Sequence, residues 1–97
     1  MPPIAMHSAE AEALAIQVLG WIAGEEERLV RFLGMTGASV EDLRAQAAQP
    51  AFLGSVLDFL LSEDAAVIAC CEELGIAPEE PMRARASLPG GDLPHWT

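Results

Sequence analysis

Two adjacent cysteines and two distant histidines are the side chains of this 97-residue chain best suited to catalytic chemistry. Nucleophilic catalysis needs a thiol or hydroxyl beside a base that a third group orients. Cys70 and Cys71 are neighbours, whereas His7 and His95 lie near opposite ends, and no spacing brings either histidine to the thiols. The sequence therefore predicts no catalytic residue, and we interpret the cysteines as small residues of the core.

The cysteine pair still leaves one thiol-dependent function open. Adjacent cysteines form a disulfide only through a strained eight-membered ring, so Cys70 and Cys71 do not act as an ordinary structural crosslink. A redox or thiol-responsive regulator that uses Cys70 and Cys71 is therefore an alternative function. Titration of the thiols in the folded protein tests it, because a regulatory thiol must be reactive.

Metal and phosphate sites find no support in the residue spacing. Zinc sites use about four ligands at recurring spacings, and Cys70 and Cys71 have no C-x-x-C or H-x-x-x-H partners. The acidic runs at 25–27, 63–64 and 72–73 lie where helix starts or solvated faces use them. The glycines follow no strand and precede no lysine, so no phosphate loop is predicted. We predict no metal and no cofactor.

The charge is strongly one-sided, with fifteen acidic residues against five arginines and a net charge of −10. Such a surface repels nucleic acid and anionic membranes. The apolar run at 13–23 contains Gln17 and is followed by three glutamates at 25–27, which is typical of neither a signal peptide nor a membrane span. We predict a cytoplasmic protein that binds neither nucleic acid nor membrane directly. Acidic mimicry of nucleic acid is a further alternative function.

Apolar residues recur at helical spacing along residues 8–88, and no stretch alternates as a strand does. The sequence therefore predicts an all-α fold, a compact bundle of five to six short helices. Capping residues, proline in a first turn and glycine at an end mark the boundaries. The predicted starts are Ser8, Ser39 with Asp42, Pro50 and Ser62, and the predicted ends are Gly24, Gly34, Gly37 and Gly75.

The apolar positions also predict which faces are buried. The fourth helix, residues 51–61, has an apolar arc of roughly 200° and should lie at the centre of the bundle. In the neighbouring helices, the residues predicted to face inward are Leu29, Phe32 and Leu33 in the second, Val67, Ile68, Cys71 and Leu74 in the fifth, and Met82 and Ala86 in the sixth.

The two parts of the chain resemble each other. Residues 14–22 align with residues 52–60 at an offset of 38. Further matches, at offsets up to 41, are "LG" at 33 and 74 and "DLRAQA" at 42 with "PMRARA" at 81. We predict two pseudo-symmetric three-helix halves, residues 12–47 and 50–86, that pack through the first and fourth helices.

The same stretches carry a family resemblance. "AEALAIQVLGWIAGEEERLVRFLGMTG", followed by "LRAQAAQPAFLGSVLDFLLSEDAAVIACCEELGIAPEE", resembles a family of short alphaproteobacterial proteins catalogued as a domain of unknown function. The resemblance covers residues 10–88. It implies a bacterial, cytoplasmic, helical protein, and it supplies no catalytic residue or cofactor.

The ends differ from the helical domain at 8–88. Residues 1–7 are predicted to be a flexible leader, and residues 89–97 a tail rich in proline and glycine. Burial of an indole is worth about 2 to 3 kcal/mol, so we expect Trp96 to anchor the tail on the bundle or on another molecule, with Leu93 and His95 beside it. The preferred hypothesis is a non-enzymatic helical module that binds another protein through an apolar groove, with or without this tail.

Overall fold

The computed structural model describes residues 7–88, and this part of the chain forms six α-helices and no strand. The all-α prediction is confirmed. Residues 1–6 of the predicted leader at 1–7 and the whole predicted tail at 89–97 lie outside the described residues. The helices are α1 (Ser8–Ala23), α2 (Glu26–Thr36), α3 (Val40–Gln46), α4 (Pro50–Leu61), α5 (Asp64–Leu74) and α6 (Glu80–Ala86).

Two predicted helix starts are confirmed. Ser39 and Asp42 form a capping box at α3, in which the Asp42 N–H donates to Ser39 Oγ at 3.1 Å and the Ser39 N–H donates to Asp42 Oδ2 at 3.0 Å. This arrangement satisfies two backbone donors that no residue within the helix can bind. Pro50 is the first residue of α4, where its missing N–H costs nothing.

Two other predicted caps are wrong. The cap of α1 is His7, whose backbone N–H donates to Glu10 Oε1 at 3.3 Å, and Ser8 is already helical. The cap of α5 is Glu63, because the Ser62 hydroxyl donates to the carbonyl of Phe59 at 2.6 Å and so closes the end of α4. A serine between two helices can serve either of them, and sequence alone does not choose.

Glycine ends α2 and α5 as predicted, but Gly34, which was also predicted to end a helix, does not. Gly37 and Gly75 have φ values of 76° and 70°, the left-handed conformation that glycine adopts without a Cβ clash. Gly34 lies inside α2. The predicted match of Leu33-Gly34 with Leu74-Gly75 is therefore wrong, and the residue that corresponds to Gly75 is Gly37.

The helix bounds repeat along the chain with the offset read from the sequence. The last residues of α1 and α4, the first residues of α2 and α5, and the glycines that end α2 and α5 are each 38 positions apart. The third helices, α3 and α6, begin 40 positions apart and each has seven residues. These bounds support two related halves, and the pseudo-symmetry of residues 12–47 and 50–86 stays a prediction.

The core lies around α4, which contacts α1, α2, α5 and α6 as its wide apolar arc predicts. Phe32 of α2 is fully buried and meets the rings of Phe52 and Phe59 edge to face, at centroid distances of 5.9 and 5.3 Å. The fully buried side chains with the largest volumes are Phe32, Ile22, Leu53, Leu57, Leu60, Val18, Val56, Pro81 and Cys70. The core is thus aliphatic around one aromatic cluster.

Three predicted inward residues face solvent instead. Ile68 is 55% exposed, Met82 is 67% exposed and Ala86 is also exposed. In α5 the inward face is formed by Val67, Cys70, Cys71 and Leu74. In α6 it is formed by Pro81 and Ala84, with Leu88 just beyond the helix, because these small side chains let the helix approach α1 and α4 closely.

Candidate functional site

An open apolar groove lies between α1, α2 and α3, with a volume of about 370 Å³. Of its nine lining residues, eight are apolar and one is charged. We call it the α1–α3 groove. Its lining residues are Ile16, Leu19, Gly20 and Ala23 from α1, Leu29 from α2, and Val40, Leu43, Arg44 and Ala47 from α3 and its C-cap.

Helical spacing explains why these residues share one surface. The α1 residues are at positions 16, 19, 20 and 23, and the α3 residues are at 40, 43, 44 and 47. Both sets follow the i, i+3, i+4, i+7 pattern that places side chains on one face of a helix. On α1 this is a second stripe, beside the buried stripe that contains Leu14, Val18 and Ile22. Such a double stripe is visible in the sequence, although its use as a groove wall is not.

The walls of the groove are exposed and its floor is buried. Ile16 and Val40 are each 49% exposed, on opposite walls. Leu43 is 8% exposed, and Leu19 and Leu29 are partly buried against the core. Contact with a further apolar surface would therefore remove water from Ile16 and Val40, which favours binding by the hydrophobic effect.

Several acidic residues are close in sequence to residues that line the groove. Glu12 is one turn before Ile16, Glu26 is three residues before Leu29, and Glu41 follows Val40. Three arginines pair elsewhere, as Arg28 with Glu25 at 3.7 Å, Arg31 with Glu63 at 2.9 Å and Arg85 with Asp58 at 2.6 Å. Arg44 is the one charged residue that lines the groove.

A second cleft, of about 590 Å³, lies on the other side of α3. Its lining is more polar and comes from the end of α2, from α3 and from α4. We call it the α3–α4 cleft. It is lined by Met35, Thr36, Gly37, Ala38, Asp42, Gln46, Ala51, Phe52, Ser55 and Asp58.

The predicted thiol site is buried. Cys70 and Cys71 are free thiols, 0% and 3% exposed. Burial, with a smaller contribution from Cys71, raises the pKa of Cys70 to about 12. Burial, followed by the nearby Glu80 and Glu79, also raises the pKa of Cys71. Because the thiolate is the reactive form, these environments oppose redox chemistry at neutral pH.

His7 is the one histidine among residues 7–88, and it caps a different helix from the one that contains the cysteines. His7 is exposed at the start of α1, and the thiols lie in the buried face of α5. The tail residues Leu93, His95 and Trp96 lie outside the described residues. Between residues 7 and 88, no group of three or more His, Cys, Asp or Glu side chains is placed to hold a metal ion.

A polar cluster that was not predicted from the sequence surrounds the other tryptophan, Trp21. Trp21 is 8% exposed, and its indole N–H donates to Glu73 Oε2 at 3.0 Å. The Arg28 guanidinium lies 3.7 Å from the centroid of the Trp21 ring and donates to the Trp21 carbonyl at 2.9 Å. This cluster joins α1, α2 and α5, and cation–π attraction and hydrogen bonds explain it without a ligand.

Comparison with known proteins assigns a family. Residues 8–91 match the family described as Protein of unknown function (DUF3572), which is most of the chain. The chain belongs to this family. No curated protein and no solved structure matches the chain. Among residues 7–88, no helix has the length and apolar content needed to cross a membrane.

Proposed function

We propose that the chain is a non-enzymatic module that binds an amphipathic helix of another protein in the α1–α3 groove. The observation that carries the proposal is the apolar lining between two exposed walls, Ile16 and Val40. An exposed apolar surface bordered by charge is typical of an interaction site.

The walls of the groove favour a helical partner. Each wall is a helix or its cap, with side chains spaced i, i+3, i+4 and i+7. Ridges with this spacing pack into the grooves of another helix. A peptide that binds by strand addition would need the free edge of a sheet, and residues 7–88 contain no strand.

The charge favours a partner with basic residues beside its apolar stripe. The chain has a net charge of −10, and Glu12, Glu26 and Glu41 neighbour the groove in sequence. Lysine or arginine on the partner would be attracted toward this surface and would raise the association rate. Arg44 offers one position for a carboxylate or for the carbonyl end of the partner helix.

The two alternative functions have less support. A thiol-responsive regulator would need a reactive thiolate, whereas Cys70 and Cys71 are buried and have raised pKa values. A nucleic-acid mimic should present its acids in long rows, and here they occur in short groups, most of them near helix starts and one, Glu72 with Glu73, at the end of α5. We place the binding in the cytoplasm, where two free thiols remain reduced.

A labelled synthetic peptide tests the groove. The probe is a helix of about 18 residues with leucine at i, i+3, i+4 and i+7 and lysine on the flanks. We expect Ile16→Glu to weaken binding about tenfold by fluorescence anisotropy, because it puts a charge in the apolar contact. The matched control is Ile68→Glu, at a similarly exposed isoleucine on α5, and we expect it to change binding by less than about twofold.

Further arms separate the alternatives. Replacing the flanking lysines of the peptide with glutamates should weaken binding, and equal affinity would contradict the charge argument. Trp96→Ala in the full chain should leave the affinity unchanged, and a loss would place binding at the tail. Equal effects of Ile16→Glu and Ile68→Glu would exclude the groove. Fast reaction of a thiol reagent with the folded protein would support the thiol-responsive alternative.

A further inference from the structure

The third helix, α3, is weakly embedded in the bundle. It separates the α1–α3 groove from the α3–α4 cleft, so both of its sides are open. Its one buried residue is Leu43, and Val40 at its start is half exposed. Few buried apolar contacts and open flanks are features of the segments that open first in a folded protein.

The corresponding helix of the second half is held differently. Although α6 has the same length as α3, it packs against both α1 and α4. Pro81, Ala84 and Leu88 are buried there. Arg85 adds a bidentate contact, donating to the two carboxylate oxygens of Asp58 on α4 at 2.6 and 3.1 Å. Two helices of equal length therefore differ in their attachment to the same core.

The backbone on either side of α3 permits it to detach. Gly37, in the left-handed conformation, precedes it, and the residues at 47–49 that follow it are not helical. Both hydrogen bonds of the capping box join Ser39 to Asp42, so they do not attach α3 to another helix. A helix of seven residues has little stability in water, so detachment and unwinding of α3 occur together.

We propose that α3 is a displaceable wall of the groove, which detaches from the bundle so that the helix of a partner can bind against α1 and α2. The inference rests on the proposed function. One turn of a helix with its side chains, about 10 Å wide and about 5.4 Å long, occupies more volume than the about 370 Å³ of the open groove. Detachment of α3 takes Val40, Leu43, Arg44 and Ala47 out of the lining, so the partner helix binds in the place of α3. The groove then joins the α3–α4 cleft, which adds Phe52 to the apolar floor.

Hydrogen exchange on the full chain without peptide is the first test. After correction for intrinsic rates, we expect the amides of Val40–Gln46 to exchange at least about tenfold faster than those of Glu80–Ala86. Equal protection of the two helices would overturn the proposal, because α3 would then be attached to the bundle as firmly as α6.

A matched pair of glycine substitutions is the second test. Ala45 and Ala86 are exposed near the C-terminal ends of α3 and α6, and neither lines the groove. Ala45→Gly should raise the open population of α3 about fivefold, from the propensity difference of glycine and alanine. It should speed α3 exchange and tighten peptide binding by about the same factor, since binding draws on the open form. Ala86→Gly should neither speed exchange in α3 nor change the affinity for the peptide.

The outcomes distinguish this inference from the function on which it rests. Tighter peptide binding by Ala45→Gly supports displacement. If Ala45→Gly speeds exchange and leaves the affinity unchanged, displacement is wrong and the groove binds with α3 in place. If the peptide fails to bind the wild-type chain, the proposed function is wrong and displacement of α3 by a partner helix falls with it.

Discussion

The segments α1–α3 and α4–α6 use the same local signals and reach different results. In both, the second helix has eleven residues and ends on a left-handed glycine, and the third helix has seven residues. Yet α6 is packed between α1 and α4, whereas α3 lies between two open clefts. Matched helix boundaries therefore do not imply matched packing.

The side chains at a few positions explain the difference. On α6, Pro81 and Ala84 are small and permit close approach to the core. On α3, Leu43 is the single buried contact. The apolar surface that α3 leaves uncovered on α1 is the surface we assign to the partner. A loosely attached helix and an open apolar groove are thus two aspects of the same difference in packing.

Truncation of two corresponding buried residues should show the largest difference between the segments. Phe32 and Cys70 are 38 positions apart and both are 0% exposed. Phe32→Ala should cost about 3 to 5 kcal/mol of unfolding free energy, because it removes both edge-to-face contacts and leaves a cavity. Cys70→Ala should cost about 1 kcal/mol. Urea unfolding followed by circular dichroism measures both, and equal costs would contradict the placement of the aromatic cluster in the core.

Alkaline pH should act on the second segment through its thiols. The pKa of Cys70 is raised from its ordinary value of 9.0 to about 12, so the folded state binds this proton more tightly than the unfolded state. The resulting stability is fully present below pH 9 and is lost as the pH rises toward 12. We expect a loss of about 2 to 3 kcal/mol by pH 11.

The composition makes this pH dependence easy to assign. The chain has no tyrosine, and its five basic residues are all arginines, so the cysteines are the side chains that titrate in this interval. Cys70→Ala should remove most of the loss, measured as unfolding free energy against pH. An unchanged pH profile in this variant would show that Cys70 is not buried as described.

The three glycines test whether the two segments end their helices in the same way. Gly37→Ala and Gly75→Ala should each destabilise the protein by about 1 to 2 kcal/mol, because alanine is strained at positive φ. Gly34→Ala should instead stabilise it by about 0.5 to 1 kcal/mol, since Gly34 is helical and has open space at its Cβ position. Thermal unfolding gives all three values, and a stabilising Gly37→Ala would disprove the left-handed turn.

Helix number and most boundaries were predictable because they depend on short-range chemistry. Ser39 with Asp42, Pro50, Gly37 and Gly75 each act within one turn of their position. Predicted boundaries were wrong where a side chain had two possible hydrogen-bond partners. The Ser62 hydroxyl, for example, donates to a carbonyl of α4 and does not cap α5. The prediction that Ile68 and Met82 face inward on α5 and α6 was also wrong. Both residues fit an apolar helical stripe, but no neighbouring helix covers them.

The candidate site was predictable only as a type of surface. An apolar groove for another protein was expected from the apolar content and the absence of a catalytic arrangement. The position of the groove was not predicted, because Ile16 and Val40 line the same groove only once the chain has folded. The buried environment of Cys70 likewise depends on residues distant in sequence, and desolvation sets its pKa.

An acidic, all-helical chain with helix boundaries that repeat at an offset of 38 follows from the sequence alone, because charge, capping and helical periodicity are properties of short segments. Which of the two similar short helices, α3 or α6, is embedded in the core depends on tertiary packing. That difference depends on how well the side chains of each short helix fit against α1 and α4. Such close packing involves segments distant in sequence, so no single segment encodes it.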